Sequence, residues 1–464
     1  MLLLITTAPV CSQTIDDYVK MALANNSTLI QKKYACQKSR EALKEANRNF
    51  LPVLSVEARY ARSEGGRTAT IPFGDMLNPI YSNLTLANST LSRMTSAYPS
   101  LPAYPQVDNY TLNFIRPTEQ ETKLQLVMPV FNTDVIFNRS IKSSLVTVDD
   151  NSLELYKREL IKSVKTAYLT YFRTIGVVVM YQNSMVVVNR HLQNTHSLYA
   201  NEKLTIDEVY AAQAQVKDVE QKLSDAEKNS KMAAAYFNFL LNRDLDAAIA
   251  TAAPYPIAAF SENLDSLRSL AMSQRMELAQ MDELLDINDK QISMESSRGL
   301  LPQVSLGASY GYQGDKYEFN KQNDFAQVGL SLSWTFFSSG QREAKVEQAK
   351  MERRITEQKK TEAAMKIQME VMDAYYSAVT ARKGIDRAAD ECANQKKIFQ
   401  LVEKKHSLGS ANRVEYASAF ANQLNAEEKV IVAQYEFQTC MTTLEYAVGN
   451  AGYQTSTSND HENE

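Results

Sequence analysis

A short phrase of alternating residues occurs twice in this chain, 250 positions apart, at 51–60 and 301–310. The two copies, LPVLSVEARY and LPQVSLGASY, are identical at five of ten positions. Each copy is followed by a second strand-like phrase, at 122–131 and 326–337, and then by a long tract of helix-forming residues. The sequence therefore predicts a unit of helix, strand, strand and long helix that is present twice.

The four strand-like phrases alternate between apolar and small or polar residues, which is typical of strands in a two-faced sheet. We predict that Leu306, Ala308, Tyr310 and Trp334 lie on a lipid-facing strand surface, and that Ser309 lies on the opposite face. Each phrase has about the ten residues that a tilted strand needs to cross a bilayer. Because lipid does not tolerate an open sheet edge, four such strands require further copies of the chain.

The helical tracts have matching lengths in the two halves of the chain. A heptad seam with spacings of 3 and 4 residues, from Ile161 to Val178, predicts coiled-coil packing. Each long helix is about as long as two shorter ones together, so we expect the short helices to stack end to end beside it. The predicted helices lie at about 15–49, 133–203, 208–242, 264–298, 340–405 and 413–448.

Composition excludes several classes of function. The formal charge of −4, from 50 basic and 54 acidic residues, is unfavourable for nucleic-acid binding. The four cysteines have no CxxC spacing and the four histidines form no HxxxH pair, so we predict no metal site and no cofactor, and we expect the imidazoles to face solvent. No P-loop, GxSxG, HExxH or dinucleotide-binding glycine pattern is present, so no enzyme is predicted.

The first twelve residues begin with a short apolar run followed by small residues, which predicts a secretory signal peptide cleaved after Ser12. The missing basic start leaves the apolar beginning of a cytosolic helix as the alternative. No later segment approaches the 18 apolar residues of a membrane-spanning helix.

The predicted organisation follows the duplication. The stretch 62–121 is rich in Ser, Thr, Asn, Pro and Tyr, so we interpret it as an irregular loop. The segments are a signal peptide (1–12), a first repeat (13–242, strands about 52–61 and 122–131), an equatorial connection (243–262), a second repeat (263–449, strands about 302–312 and 326–337) and a polar, disordered tail (450–464).

With these features the chain resembles the TolC family of outer-membrane efflux channels, the outer membrane factors. The resemblance rests on the duplicated unit, on LP at the start of each first strand, on the phrase LSLSWTFFSSGQREAKVEQAK, and on two hairpin turns at 199–215 and 406–420. It implies a mostly α fold with a shared transmembrane β-barrel. In that fold a homotrimer forms one 12-stranded barrel and a coiled-coil α-helical tunnel. The same layout implies that the loop 62–121 is extracellular, either a partial lid or a variable surface loop without a gating role.

The resemblance also implies a function. A member of this family is the passive outer-membrane channel of a tripartite efflux system, such as multidrug efflux, in a Gram-negative bacterium, and it spans into the periplasm. Its partners would be a periplasmic adaptor (membrane fusion) protein, an inner-membrane pump of the RND or ABC type, and membrane lipid. The alternatives are a channel for type I protein secretion and, in a different class, a periplasmic coiled-coil interaction protein that forms no channel.

The resemblance also assigns candidate residues. Glu415 and Glu208 would lie at the pore constriction, where three carboxylates attract cations, and Ser418 stands at a second position that is acidic in the family. Glu202 replaces the glycine of the first tip, so we expect a differently shaped turn there. His406 and Ala411 replace the family's tip aromatic and basic residues. The predicted adaptor-docking residues are Lys203, Leu204, Thr205, Leu408, Gly409, Ser410 and Ala411.

Overall fold

The computed structural model of the protein describes residues 14–95, 103–250, 263–408 and 410–449. These residues form a helical unit, drawn from 14–45, 137–296 and 340–449, and a strand unit made of 46–136 and 297–339. In chain order the elements are α1 (Ile15–Asn25), α2 (Ser27–Arg48), β1 (Val53–Arg62), β2 (Thr68–Ile71), α3 (Phe73–Met94), β3 (Tyr110–Asn113), β4 (Thr118–Phe131), α4 (Thr133–Ala200), α5 (Ile206–Leu240), α6 (Leu264–Gln274), α7 (Met276–Ser297), β5 (Gln303–Gly314), β6 (Asp324–Ser333), α8 (Gln341–Ser407) and α9 (Arg413–Val448).

The duplicated order of helix, strand, strand and long helix is confirmed by this arrangement. The predicted signal peptide, the tail at 450–464 and most of the connection, at 251–262, lie outside the described residues. None of the helices in the described ranges is long and apolar enough to cross a membrane.

Two predicted helices are each broken at one residue, which corrects the expectation of continuous helices at 15–49 and 264–298. Asn26 and Arg275 have ψ angles of 123° and 118°, so the backbone leaves the helical region at both. The segments before the breaks are both 11 residues long, and the segments after them are both 22 residues long. The two repeats therefore share the position of the break, although the residue there differs.

Both break residues are buried and bind the last turn of a returning helix in their own repeat. The Asn26 amide donates to the Leu240 carbonyl at 2.9 Å, and the Arg275 guanidinium donates to the Ala447 carbonyl at 3.0 Å. These carbonyls lie where a helix end leaves acceptors without intrahelical partners. Each side chain thus provides a hydrogen-bond donor to a buried carbonyl. The helix is interrupted at Asn26 and at Arg275, where these side chains reach the carbonyls.

Aromatic packing forms the core of the first repeat in the helical unit. Tyr18 is fully buried between Phe237, with ring centroids 5.1 Å apart, and Tyr168, at 5.9 Å. Ile161 and Val164 of the predicted seam belong to the same buried cluster. A second cluster joins α6, α7, α8 and α9, and a third joins the tip halves of α4, α5, α8 and α9.

The strand unit contains a four-stranded antiparallel sheet in the order β1-β4-β5-β6. β4 begins at Thr118, four residues before the predicted start at 122, because its first residues pair with the end of β1. β6 ends at Ser333, earlier than the predicted 337. Ser333 pairs with Gln303, the first residue of β5, and the preceding Pro302 has no backbone N–H to continue the ladder.

Trp334 therefore lies one residue beyond β6, and its predicted place on a strand is wrong. Its indole N–H donates to the Gly299 carbonyl at 3.2 Å instead.

The stretch 62–121 is not irregular, as its composition led us to expect. Residues 96–102 of this stretch lie outside the described residues. On either side of them it contains the 22-residue helix α3 and a two-stranded antiparallel sheet of β2 and β3. The sequence did not predict this helix because its Asn and Pro residues lower the helix propensity. A helix with low propensity still forms where one side of it packs against the rest of the chain.

Candidate functional site

The first candidate surface is the apolar face of the four-stranded sheet. Leu306 pairs with Leu330, Ala308 with Val328, and Tyr310 with Leu124, so apolar residues meet on one face. This face is uncovered in the strand unit: Val328 is 75% exposed and Tyr310 is 50% exposed. An apolar surface of this extent, left open on a folded unit, marks an interaction with lipid or protein.

The opposite face is polar, and its charges lie on β1 and β4 alone. Arg59 lies 3.6 Å from Glu119 and 3.7 Å from Glu121. Lys123 lies 3.1 Å from Glu121 and 3.3 Å from Glu57. Three carboxylates and two cations leave this half of the face with one excess negative charge.

The other half of the polar face carries small uncharged residues. Ser305, Gly307, Ser309 and Gly311 alternate along β5. A Cβ at Gly311 would lie 2.3 Å from the Thr122 carbonyl oxygen, so only glycine fits there. The two repeats thus build unlike halves of one polar surface.

The second candidate site is the pair of hairpin tips in the helical unit. At the first tip Glu202 has φ 58°, the left-handed conformation that glycine adopts most easily. The Lys203 N–H donates to the Leu198 carbonyl and the Glu202 N–H to the Tyr199 carbonyl, both at 2.9 Å, which is the Schellman helix cap. Replacing glycine by Glu202 therefore leaves a left-handed cap in place.

The predicted tip residues are mostly exposed. Lys203 and Thr205 are exposed and Leu204 is half-buried in the first tip. In the second tip Leu408 is 73% exposed and Ser410 is exposed, while Ala411 is half-buried. Gly409 lies outside the described residues.

The candidate constriction residues occupy two different environments. Glu415 is exposed in the first turn of α9, where its N–H donates to the Asn412 side chain at 2.9 Å. Glu208 is half-buried in the first turn of α5. Glu208 and the exposed Ser418 line a common cavity of about 390 Å³. The structure thus brings Glu208 and Ser418 together, and it places Glu415 at the solvent-exposed start of α9.

Three rings from three helices meet beside these residues. His191 of α4 stacks on Tyr416 of α9 with ring centroids 4.3 Å apart. His406 of α8 lies 4.9 Å from Tyr416 and 5.7 Å from His191. An ion pair of 2.9 Å between Arg413 and Asp207 joins the starts of α9 and α5 nearby. The two hairpins are therefore linked by ring stacking and by one charge pair.

Burial changes the acid–base behaviour of this ring cluster. Desolvation, with a smaller effect of the charge of His406, lowers the pKa of His191 to about 4. Burial also raises the pKa of Tyr416 to about 12, helped by the negative charge of Glu403. His191 is therefore neutral at neutral pH. The expectation of a solvent-facing imidazole is wrong for His191, because its ring occupies a seam position seven residues after the buried Ser184.

Comparison with known proteins agrees with this architecture. Residues 267–450 match the family described as Outer membrane efflux protein. The chain is 21% identical over 434 residues to the Outer membrane protein TolC of Escherichia coli (strain K12), covering 89% of this chain and 78% of that protein.

Solved structures show the same fold over nearly the whole chain. The CmeC outer membrane channel of Campylobacter jejuni aligns with a TM-score of 0.74 and 13% identity, covering 94% of this chain and 86% of that chain. The outer membrane protein VceC of Vibrio cholerae aligns with a TM-score of 0.71 and 14% identity, covering 94% and 96%. The fold is thus that of outer membrane channel proteins. The second half of the chain thus resembles outer membrane efflux proteins in sequence, and nearly the whole chain shares the fold of outer membrane channels.

Proposed function

We propose that this protein is the outer-membrane channel of a tripartite efflux system and conducts substrates passively across the periplasm and the outer membrane. The observation that carries the proposal is the four-stranded sheet with one exposed apolar face and one polar face. A bilayer covers the first face, and a water-filled passage lies against the second. The protein acts as a conduit and not as an enzyme.

The sheet ends support a homotrimer. β1 and β6 each pair with one neighbour in the described sheet, so each leaves an edge open. An open edge in hydrocarbon leaves backbone N–H and C=O groups without partners, which costs several kcal/mol for each group. Three copies that pair β6 of one with β1 of the next close a 12-stranded barrel and remove every edge.

The hairpin tips are the proposed docking surface for the periplasmic adaptor, which in turn contacts an inner-membrane pump of the RND or ABC type. Exposed apolar side chains support this role: Leu408 is 73% exposed and Val414 is 69% exposed beside the second tip. Glu415 and Glu208 are the proposed constriction carboxylates, and both stand in first turns, where a helix N-terminus favours negative charge.

Bilayer conductance of the purified protein tests this function. We expect a species that migrates as a trimer before heating and as a monomer after it, and that gives discrete conductance steps in planar bilayers. A matched control replaces Val328 on the apolar face by Lys, which prevents insertion because a cation at the bilayer midplane costs about 2–4 kcal/mol. A monomeric wild-type protein that leaves with the soluble periplasmic fraction contradicts the proposal.

A further inference from the structure

The two edge strands of the four-stranded sheet, β1 and β6, have equal lengths. β1 runs from Val53 to Arg62 and β6 from Asp324 to Ser333, so each has 10 residues. In the part of the chain that the structure describes, each pairs along one side only. Because lipid does not tolerate backbone groups without partners, both edges have to be covered along their whole length. Two antiparallel edges of equal length cover each other completely in one register only.

In that register the two faces of the sheet continue from one chain to the next. Complete pairing places Ser333 of one chain opposite Val53 of the next, and Asp324 opposite Arg62. Even-numbered residues then lie opposite even-numbered residues. The apolar pairs across the junction are Leu332 with Leu54, Leu330 with Val56, and Val328 with Ala58. A shift by one residue would bring the polar face of one chain next to the apolar face of the other.

The backbone hydrogen bonds agree with the same register. Successive residues of an antiparallel strand direct their N–H and C=O groups to opposite sides. Directly after β1, the Ser63 N–H donates to the Pro117 carbonyl at 2.9 Å. Directly before β6, the Asn323 carbonyl accepts from the Gln313 N–H at 2.8 Å. Odd-numbered residues therefore bond inside the chain, and even-numbered residues direct their N–H and C=O groups to the open edges. Complete pairing joins even to even, so these groups meet.

The strand tilt that follows from this register lies in the normal range for a barrel. Across one chain, the paired residues lead from Leu54 to Leu126, Ala308 and Val328. Val328 then meets Ala58 of the next chain, so each chain shifts the register from position 54 to position 58. Four residues of about 3.4 Å over four strand spacings of about 4.8 Å give a tilt of about 35°, and membrane barrels have tilts of about 35–45°.

Neighbouring registers fit less well. Shifts of about two or about six residues for each chain keep the faces aligned, but they give tilts of about 20° and about 47°. Both also leave two residues of each edge strand unpaired. The completely paired register is thus the one that satisfies the backbone, the faces and the tilt together.

Opposite charges at one end of the two edges support this register. Arg62 and Asp324 are both exposed, and neither forms an ion pair with another described residue. Their strand positions place them on the apolar face, beside Thr118 and Tyr312. A single charge on this face is unfavourable next to lipid. Complete pairing places the two opposite charges directly across from each other, where each neutralises the other.

We propose that β6 of each chain pairs with β1 of the next in this register, and that Asp324 and Arg62 of neighbouring chains form an ion pair at the outer end of the junction. The partner of both edges is thus a second copy of this chain. The proposal rests on the proposed function, which supplies the trimer and the bilayer. Because strand number and tilt together set the diameter of a barrel, the junction also sets the width of the passage.

Disulfide formation tests the register. The native cysteines are first replaced by serine in the full-length protein, at Cys11, Cys36, Cys392 and Cys440. Ser331→Cys is then combined with Ser55→Cys, which the register places directly opposite in a pair without hydrogen bonds. Such pairs bring the Cα atoms to about 4.5 Å, which suits a disulfide. Within one chain the two positions lie on opposite edges, about 14 Å apart, so only neighbouring chains can be joined.

The matched controls keep Ser331→Cys and move its partner by two residues, to Val53→Cys or to Glu57→Cys. Both partners stay on the same face of β1, but the Cα atoms would be about 7–8 Å apart, which is too far for a disulfide. After oxidation and denaturation, we expect the Ser55→Cys combination to migrate as a covalent trimer that reductant converts to monomer. We expect both controls to migrate as monomers.

Val53→Cys with Ser333→Cys, a second directly opposite pair, repeats the test if the first combination fails to assemble. A control that crosslinks as well as the Ser55→Cys combination, or an assembled trimer in which no directly opposite pair crosslinks, overturns the register. A wild-type protein that forms no trimer refutes the proposed function instead.

Charge exchange tests the ion pair. Arg62→Asp and Asp324→Arg each place like charges at every junction, so each variant alone should dissociate into monomers at a lower temperature than the wild type. The combined variant restores opposite charges and should return the dissociation temperature towards the wild-type value. The matched control combines Asp324→Arg with Arg67→Asp, an exposed position outside β1, and should show no recovery. Single variants that dissociate at the wild-type temperature, or a combined variant without recovery, overturn the ion pair.

Discussion

Acidification should loosen the two hairpin tips through one residue, His191. Its ring lies between α4, α8 and α9, and the groups that line the same cavity include His406, Glu208, Glu403 and Arg413. Because the folded tip holds the pKa of His191 near 4, the unfolded chain takes up a proton at a higher pH than the folded tip does. Stability is therefore highest above the unfolded pKa of about 6.5 and is lost as the pH falls from there towards 4.

The structure sets the size of the effect. A pKa difference of about 2.5 between the two states corresponds to about 3.4 kcal/mol once both have titrated. The His191 ring is only partly buried, so solvent screening reduces the expected loss to about 2 kcal/mol between pH 7.5 and pH 4. That loss changes the population of opened tips by about thirtyfold.

Amide hydrogen exchange in the tip halves of α4 and α9 measures this opening. His191→Phe keeps a ring against Tyr416 and removes the titration, so the variant should lose about 2 kcal/mol less protection than the wild type on acidification. Carboxylates that titrate in the same range affect both proteins equally and cancel in the comparison. His196→Phe, at an exposed position on α4, is the matched control and should behave like the wild type. Equal pH dependence in wild type and His191→Phe would refute the reasoning.

Three further substitutions test other parts of the structure. Glu202→Gly should stabilise the tip by about 0.5–1 kcal/mol, because φ 58° strains any residue with a Cβ; a lower melting temperature would contradict this. Asn26→Ala should cost about 3 kcal/mol in denaturant unfolding, because it leaves the buried Leu240 carbonyl unpaired, whereas the exposed Asn25→Ala should cost little. Glu415→Ala should lower the cation preference measured from reversal potentials in bilayers, and an unchanged preference removes Glu415 from the constriction.

The strand faces were predictable from the sequence because a strand has a period of two residues, and one wrong register would have exchanged both faces. The existence of the long helices was predictable from the spacing of their apolar residues by three and four positions. The breaks within the helices were not predictable. The helix-end carbonyls that Asn26 and Arg275 bind belong to residues more than 170 positions away, so these contacts cannot be predicted from the local sequence.

The tip ring cluster depends on a shift of the buried positions along α4. The seam predicted at Ile161, Val164 and Tyr168 is buried, but nearer the tip the buried residues are Tyr181 and Val188, each one position before a strict seven-residue continuation from Ile161. This shift places His191 near the buried side, and the spacing of the predicted seam alone does not predict it.

The polar face of the sheet has a charged half from the first repeat and an uncharged half from the second. In a closed trimer of the proposed kind, three strips with paired charges from β1 and β4 would alternate with three uncharged strips from β5 and β6, in which serine and glycine predominate. Substitutions in the first repeat would then tune which charges pass, and substitutions in the second would tune how bulky a solute can be. On the proposed function, charge preference and clearance would thus be adjustable separately in the two repeats.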